Sequence, residues 1–66
     1  MKVLLNGESF EIEENSSIVD LLKKLDISGN RVAVEVNMEI IPKGDYTTFK
    51  ISPDDKIEIV HFVGGG

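Results

Sequence analysis

The sequence has no cysteine and no tryptophan, and it holds one histidine and two prolines in 66 residues. Without cysteine there is no disulfide framework and no thiolate metal site, so apolar packing alone must hold the fold. The length allows one domain, because a chain of this size buries only about 60% of its unfolded surface. His61 is the only imidazole, so no Ser-His-acid set and no metal-ligand spacing can be assembled, and metal is expected to have no role. Catalysis by the chain itself is not expected. Any chemistry should happen on this protein in another protein's active site.

Long apolar runs are also missing. Val3-Leu4-Leu5 is the only apolar run near the start, far shorter than a signal-peptide core, and no stretch approaches the roughly 20 residues of a membrane span. The expectation is a cytoplasmic chain, neither secreted nor embedded. Positive charge is scarce as well: seven Lys and Arg stand against twelve Asp and Glu, a net charge of -5. Nucleic acid is therefore an unsuitable partner, since phosphate binding needs clustered Lys and Arg. An acidic surface keeps a small protein in solution. It also suits a basic docking face on a larger partner.

Lys2 to Leu5 and Ser9 to Glu13 are extended runs separated by Asn6-Gly7, the dipeptide suited to the positive φ angles of a type I′ hairpin turn. Val3 and Leu5 can share a face with Phe10 and Ile12, while Lys2, Glu11 and Glu13 point to water. Ser17 followed by Asp20 fits a helix start in which hydroxyl and carboxylate satisfy free backbone N–H groups. Ile18, Leu21, Leu22 and Leu25 then form one apolar stripe, with Asp20, Lys23 and Lys24 outside it, and Gly29 reads as the stop. Glu13-Glu14, with Asn15, reads as a solvated loop, because two adjacent carboxylates do not close a coordination sphere.

Arg31 to Val36 sets Val32, Val34 and Val36 against Ala33 and Glu35, the period of a half-buried strand. Asn37-Met38-Glu39 reads as a turn before Ile40-Ile41, and Pro42-Lys43-Gly44-Asp45 as a break. Thr47 to Ile51 is β-prone and is expected to form a short strand. Ser52-Pro53-Asp54-Asp55 has the composition of a type I turn. Lys56 to Phe62 is the last strand, with Ile57 and Ile59 toward the helix and Glu58, Val60 and Phe62 on the opposite face. Those three outward residues are candidates for partner docking, since a small domain with apolar residues away from its only helix has a place to bind. The order strand-strand-helix-strand-(strand)-strand describes one α+β domain over residues 1–62. Its sheet is mixed, with four to five strands and one main helix packed on one face.

Val63-Gly64-Gly65-Gly66 follows directly. Glycines without Cβ have wide φ,ψ freedom, so residues 63–66 are expected to be a flexible tail. Taken alone, a triple glycine is also what a frayed end or a cloning remnant looks like. His61 beside it reads as a rim histidine, since a general base needs a partner to orient it.

The ending Ile57-Glu58-Ile59-Val60-His61-Phe62-Val63-Gly64-Gly65-Gly66 resembles that of the thiamine-pathway sulfur carrier proteins of bacteria. So do the first hairpin, the Ser-opened helix and the Asn37 to Pro42 segment, and the resemblance covers essentially the whole chain. One departure is Ser52-Pro53-Asp54-Asp55, where many relatives carry Gly in the Asp-Gly-Asp manner. The resemblance implies a ubiquitin-like β-grasp fold and a carrier cycle. A ubiquitin-activating-type adenylating enzyme would use ATP on the Gly66 carboxylate, and a sulfur donor such as a cysteine desulfurase would convert it to a thiocarboxylate. Thiazole synthase would take the sulfur. Gly65 and Gly64 would thread the partner's active site, and no cofactor would be bound by the chain. An ionised α-carboxylate is a poor electrophile, so activation of this kind is chemically required. Two alternatives share these features: a carrier of the molybdopterin synthase small-subunit type, and a non-carrier ubiquitin-like binding module or modifier.

Overall fold

The computed structural model describes residues 1–62, so the tail expectation for 63–66 lies outside the described residues. Five strands form one mixed sheet in the order β2-β1-β5-β3-β4. They are β1 (Lys2–Leu5), β2 (Glu8–Glu11), β3 (Val32–Val36), β4 (Glu39–Ile41) and β5 (Lys56–His61), with helix α1 (Ile18–Lys24) between β2 and β3. β1 runs parallel to β5, and the other pairings are antiparallel.

Asn6 and Gly7 have φ of 48° and 84° between the paired residues Leu5 and Glu8, the type I′ geometry expected of Asn-Gly. β2 begins one residue earlier than the sequence suggested and ends at Glu11. Ile12 continues the pairing through hydrogen bonds with Met1, its N–H donating to the Met1 carbonyl at 2.9 Å and its own carbonyl accepting from the Met1 nitrogen at 2.7 Å.

α1 opens on a complete capping box. The Asp20 N–H donates to the Ser17 hydroxyl at 3.2 Å and the Ser17 N–H to the Asp20 carboxylate at 2.9 Å. Ile18, Leu21 and Leu22 are buried and Leu25 packs against the core edge, which is the stripe read from the sequence. The stop is not Gly29. Asp26 takes the left-handed conformation at φ 58°. The Ile27 N–H reaches the Leu22 carbonyl at 2.9 Å and the Asp26 N–H reaches that of Lys23 at 3.1 Å, a Schellman ending one turn before the glycine. Gly29 instead begins a 3₁₀ turn, Gly29–Arg31, whose N-cap is Ser28; Arg31 thus precedes β3 rather than opening it.

Three further expectations are corrected. Thr47 to Ile51 is not a strand: the chain coils through a 3₁₀ turn at Lys43–Asp45, and the Thr48 and Phe49 N–H groups both return to the Asp45 carbonyl. The β-prone side chains pack here without a ladder. Tyr46 and Ile51 are buried, the Ile51 N–H donates to Ser16 at 2.8 Å, and only a single bridge joins Lys50 to Ser17. The fifth strand is β4, so Glu39 lies in a strand rather than in the preceding turn. The third correction is the turn at Ser52 to Asp55, where Asp54 has φ 67°. Type I requires a negative φ at that position, and a positive one belongs to type II. A glycine would be at ease there. Asp54 is held by its N–H donating to the Lys2 carbonyl at 2.8 Å.

α1 lies on one sheet face. Val3, Ile18, Leu21, Val32, Val34 and Ile57 are the most deeply buried side chains of the core.

Candidate functional site

The candidate site is the sheet face turned away from α1, together with the end of β5. Alternation along β5 buries Ile57 and Ile59 at 0% and 6% exposure and leaves Val60 and Phe62 at 58% and 57%, with Glu58 also exposed. The three docking candidates therefore point outward. Phe62 lies just past the last β5 residue, and its N–H donates to the Arg31 carbonyl at 2.9 Å. The Lys43 ammonium sits 5.7 Å above the Phe62 ring and donates to the Asn30 carbonyl at 3.2 Å. The ring is thus steadied by a cation without being covered.

Register shows what alternation in one strand could not. Glu58 pairs with Glu35, which pairs with Ile40, while Val60 pairs with Ala33. Ile40, 71% exposed, therefore shares the outward face with Val60 and Phe62. Met38, at 87%, stands at the β3–β4 turn. Neither was singled out from the sequence. A signal was present: pairing Ile41 with Val34 in the core forces Ile40 outward. Glu35 and Glu58 stand directly opposite each other, an arrangement that disfavours the free sheet and suits a partner bearing basic groups.

His61 ends β5 opposite Val32 and is exposed. Glu13, Glu14 and Asn15 form an exposed loop. Among the described residues no group of three or more His, Cys, Asp or Glu side chains converges to hold a metal ion, and no helix is long and apolar enough to cross a membrane. Asp20 has its carboxyl held below the usual carboxylate range, first by the Ser17 backbone N–H and then by the Ser17 hydroxyl. It belongs to the helix cap and lies apart from this face. Gly64, Gly65 and Gly66 lie outside the described residues.

The sequence matches the ThiS family over residues 3–66. The chain belongs to the ThiS family. It is 43% identical over 63 residues to the sulfur carrier protein ThiS of Bacillus subtilis, covering 94% of this chain and 96% of that one. It is also 41% identical over 66 residues to a thiazole synthase of Paramagnetospirillum magneticum, covering all of this chain and 20% of the relative. A second such relative, from Magnetococcus marinus, is likewise covered to 20%. The chain thus spans about a fifth of the length of those thiazole synthases. Among solved structures it is similar to the ThiS thiamine biosynthesis protein of Geobacter metallireducens, with a TM-score of 0.86 at 26% identity and full coverage of both chains. The ThiS match and the mixed five-stranded sheet with one helix agree with the β-grasp fold expected from the sequence.

Proposed function

We propose that this ThiS-family chain is the sulfur carrier for thiazole formation in thiamine biosynthesis, with the Gly66 carboxylate as the sulfur-carrying group. The observation that carries the proposal is the family match running through Gly66, on a fold whose last strand buries one face and leaves Val60, and Phe62 just past its end, exposed. The chain acts as a co-substrate with no catalysis of its own, in the cytoplasm, where ATP and its partners are available.

An adenylating enzyme of the ubiquitin-activating type joins the Gly66 carboxylate oxygen to the α-phosphorus of ATP and releases pyrophosphate. AMP is then a leaving group that the bare carboxylate lacks. Sulfur at the sulfide level adds to the carbonyl carbon and the C–O bond to AMP breaks, leaving a thiocarboxylate with no net redox change. A persulfide from a cysteine desulfurase reaches that level with two electrons from a thiol. Thiazole synthase accepts the sulfur, a role supported by the thiazole synthases that contain a region similar to this whole chain. The same likeness favours the thiamine pathway over the molybdopterin one. Val60, Phe62 and Glu58, with Ile40, dock the partners, and Gly64 and Gly65 let the backbone pass close to the nucleotide because they lack Cβ.

The test is intact-mass measurement of the chain ending at Gly66 after incubation with ATP, the adenylating enzyme and a sulfide source. One oxygen replaced by sulfur on the C-terminal peptide is expected. An unmodified mass, under conditions that convert an established carrier, refutes the proposal.

A further inference from the structure

β5 outruns its parallel neighbour. β1 pairs with it at Leu4–Lys56 and Leu5–Ile57, and the Asn6 N–H adds a bond to the Ile57 carbonyl at 2.8 Å. There the chain turns away through Asn6-Gly7. On the opposite side β3 follows β5 to His61 and beyond it to the Phe62 N–H. The part of β5 nearest the glycines would therefore be supported by backbone on one side alone, were it not for one side chain. The Ile59 N–H donates to the Asn6 Oδ1 at 2.8 Å, and the Asn6 Nδ2 donates to the Ile59 carbonyl at 3.3 Å.

The carboxamide thus presents a donor and an acceptor to one residue of β5, as a backbone residue of a longer β1 would. Asn is suited to this place twice over. It tolerates the left-handed φ of 48° that the turn demands, and its neutral carboxamide carries a donor and an acceptor side by side. Gly keeps the turn and loses both bonds. Asp keeps the turn and the acceptor but turns a carboxylate oxygen toward the Ile59 carbonyl.

We propose that Asn6 is a positioning residue for tail delivery. Its carboxamide acts as a one-residue extension of β1 that holds β5 at Ile59, and so fixes the placement of residues 60–62 from which the glycines continue. This rests on the carrier function proposed above. When the clamp is absent, residues 59–62 sample more arrangements and only a fraction suits the adenylating enzyme, so apparent affinity falls by that fraction. The chemical step, once the tail is seated, is unaffected.

The experiment compares the parent with Asn6→Gly and Asn6→Asp in two measurements made well below each variant's melting temperature. These are Ile59 amide exchange by NMR and steady-state pyrophosphate release by the adenylating enzyme with ATP and a saturating sulfide source, which consumes the acyl-adenylate and lets the enzyme turn over. For Asn6→Gly the Ile59 amide should exchange faster, and the KM for the carrier should rise about fivefold to tenfold, the loss expected for one to two hydrogen bonds, with kcat within about twofold of the parent. Asn6→Asp should show the same split, and it supplies the measurement if the glycine variant does not fold. A lowered melting temperature with unchanged KM in a folded variant overturns the proposal and leaves Asn6 a stability residue. A fall in kcat at constant KM overturns it too. If the parent itself releases no pyrophosphate, the carrier function fails and the positioning role falls with it.

Discussion

Met38 stands in a backbone conformation that its side chain does not favour. Asn37 and Met38 have φ of 52° and 73° between the paired residues Val36 and Glu39, which makes a second type I′ turn with methionine where glycine is preferred. A residue with a Cβ loses about 1–2 kcal/mol in the left-handed region, whereas a glycine adds about 0.5–1 kcal/mol of backbone entropy to the unfolded chain. The side chain is 87% exposed, so its removal forfeits little burial. Met38→Gly should accordingly stabilise the protein by about 0.5–1 kcal/mol, which raises the melting temperature by roughly 2–8 °C for a domain of this size.

Asn37 is the control. It shares the positive φ, but its Oδ1 accepts from the Lys56 N–H and its Nδ2 donates to the Asp55 carboxylate, both at 3.0 Å. Asn37→Gly gains backbone ease and loses both bonds, so it should be neutral or destabilising. Paired urea melts decide the matter. A Met38→Gly variant less stable than the parent by more than about 0.5 kcal/mol, beyond ordinary surface scatter, would show that the methionine side chain holds the turn.

Four other outcomes are expected. Leu22→Ala removes a buried helix residue at 3% exposure and should cost about 2–5 kcal/mol, a large share of the whole for a small domain; a urea melt within about 0.5 kcal/mol of the parent would break the helix register. Asp20 has a depressed folded pKa relative to 3.8, so the unfolded chain binds more protons in acid and stability falls as pH drops below about 4. Asp20→Asn should flatten that part of the melting-temperature profile, and an unchanged slope would deny the cap its role. Phe62→Asp should leave the fold intact and weaken titrated binding to the adenylating enzyme or thiazole synthase, whereas undiminished affinity in a folded variant would remove Phe62 from the docking face. Gly65→Val should slow adenylation more than Gly65→Ala, because about 1 Å of misplacement at a reacting carbon can cost 10²-fold; equal rates would show that the tail is not threaded closely.

The parts of this fold that were legible are those in which neighbouring residues carry the whole signal. Asn6-Gly7 specifies its turn in two residues, Ser17 and Asp20 specify a helix start in four, and the valines of β3 specify a face by alternation alone. What escaped depends on backbone partners that composition does not reveal, most of them distant in sequence. Asp26 and Asp54 occupy left-handed positions that composition assigns to glycine, because backbone partners hold them: Asp26 through the Lys23 carbonyl and Asp54 through that of Lys2. Thr47 to Ile51 has strand propensity but no neighbouring strand, since the Ser16 carbonyl and the Ile18 N–H take its available backbone groups. In the candidate site Val60 follows from parity within β5, and Phe62 from the same parity carried one residue past its end. Ile40 needed the β3–β4 register, which no local pattern supplies.

That register ties the core to the proposed docking face. The middle of β5 is committed by parity: Ile57 and Ile59 close the core under α1 while Glu58 and Val60 face outward, so a slip of one residue would exchange the two sets. Packing penalises such a slip, because it would bury Glu58 and expose two isoleucines. Two turn asparagines penalise it further. Asn37 accepts from the Lys56 N–H at the start of the strand, and Asn6 engages both backbone groups of Ile59 near its end. Both act on backbone atoms, so they constrain the position of β5 while leaving its outward side chains free to change. On the proposed docking role, substitutions at Val60 and Phe62 should therefore retune partner choice at little expense in stability. Substitutions at Asn6 or Asn37 should disturb docking without altering one atom of the proposed docking face.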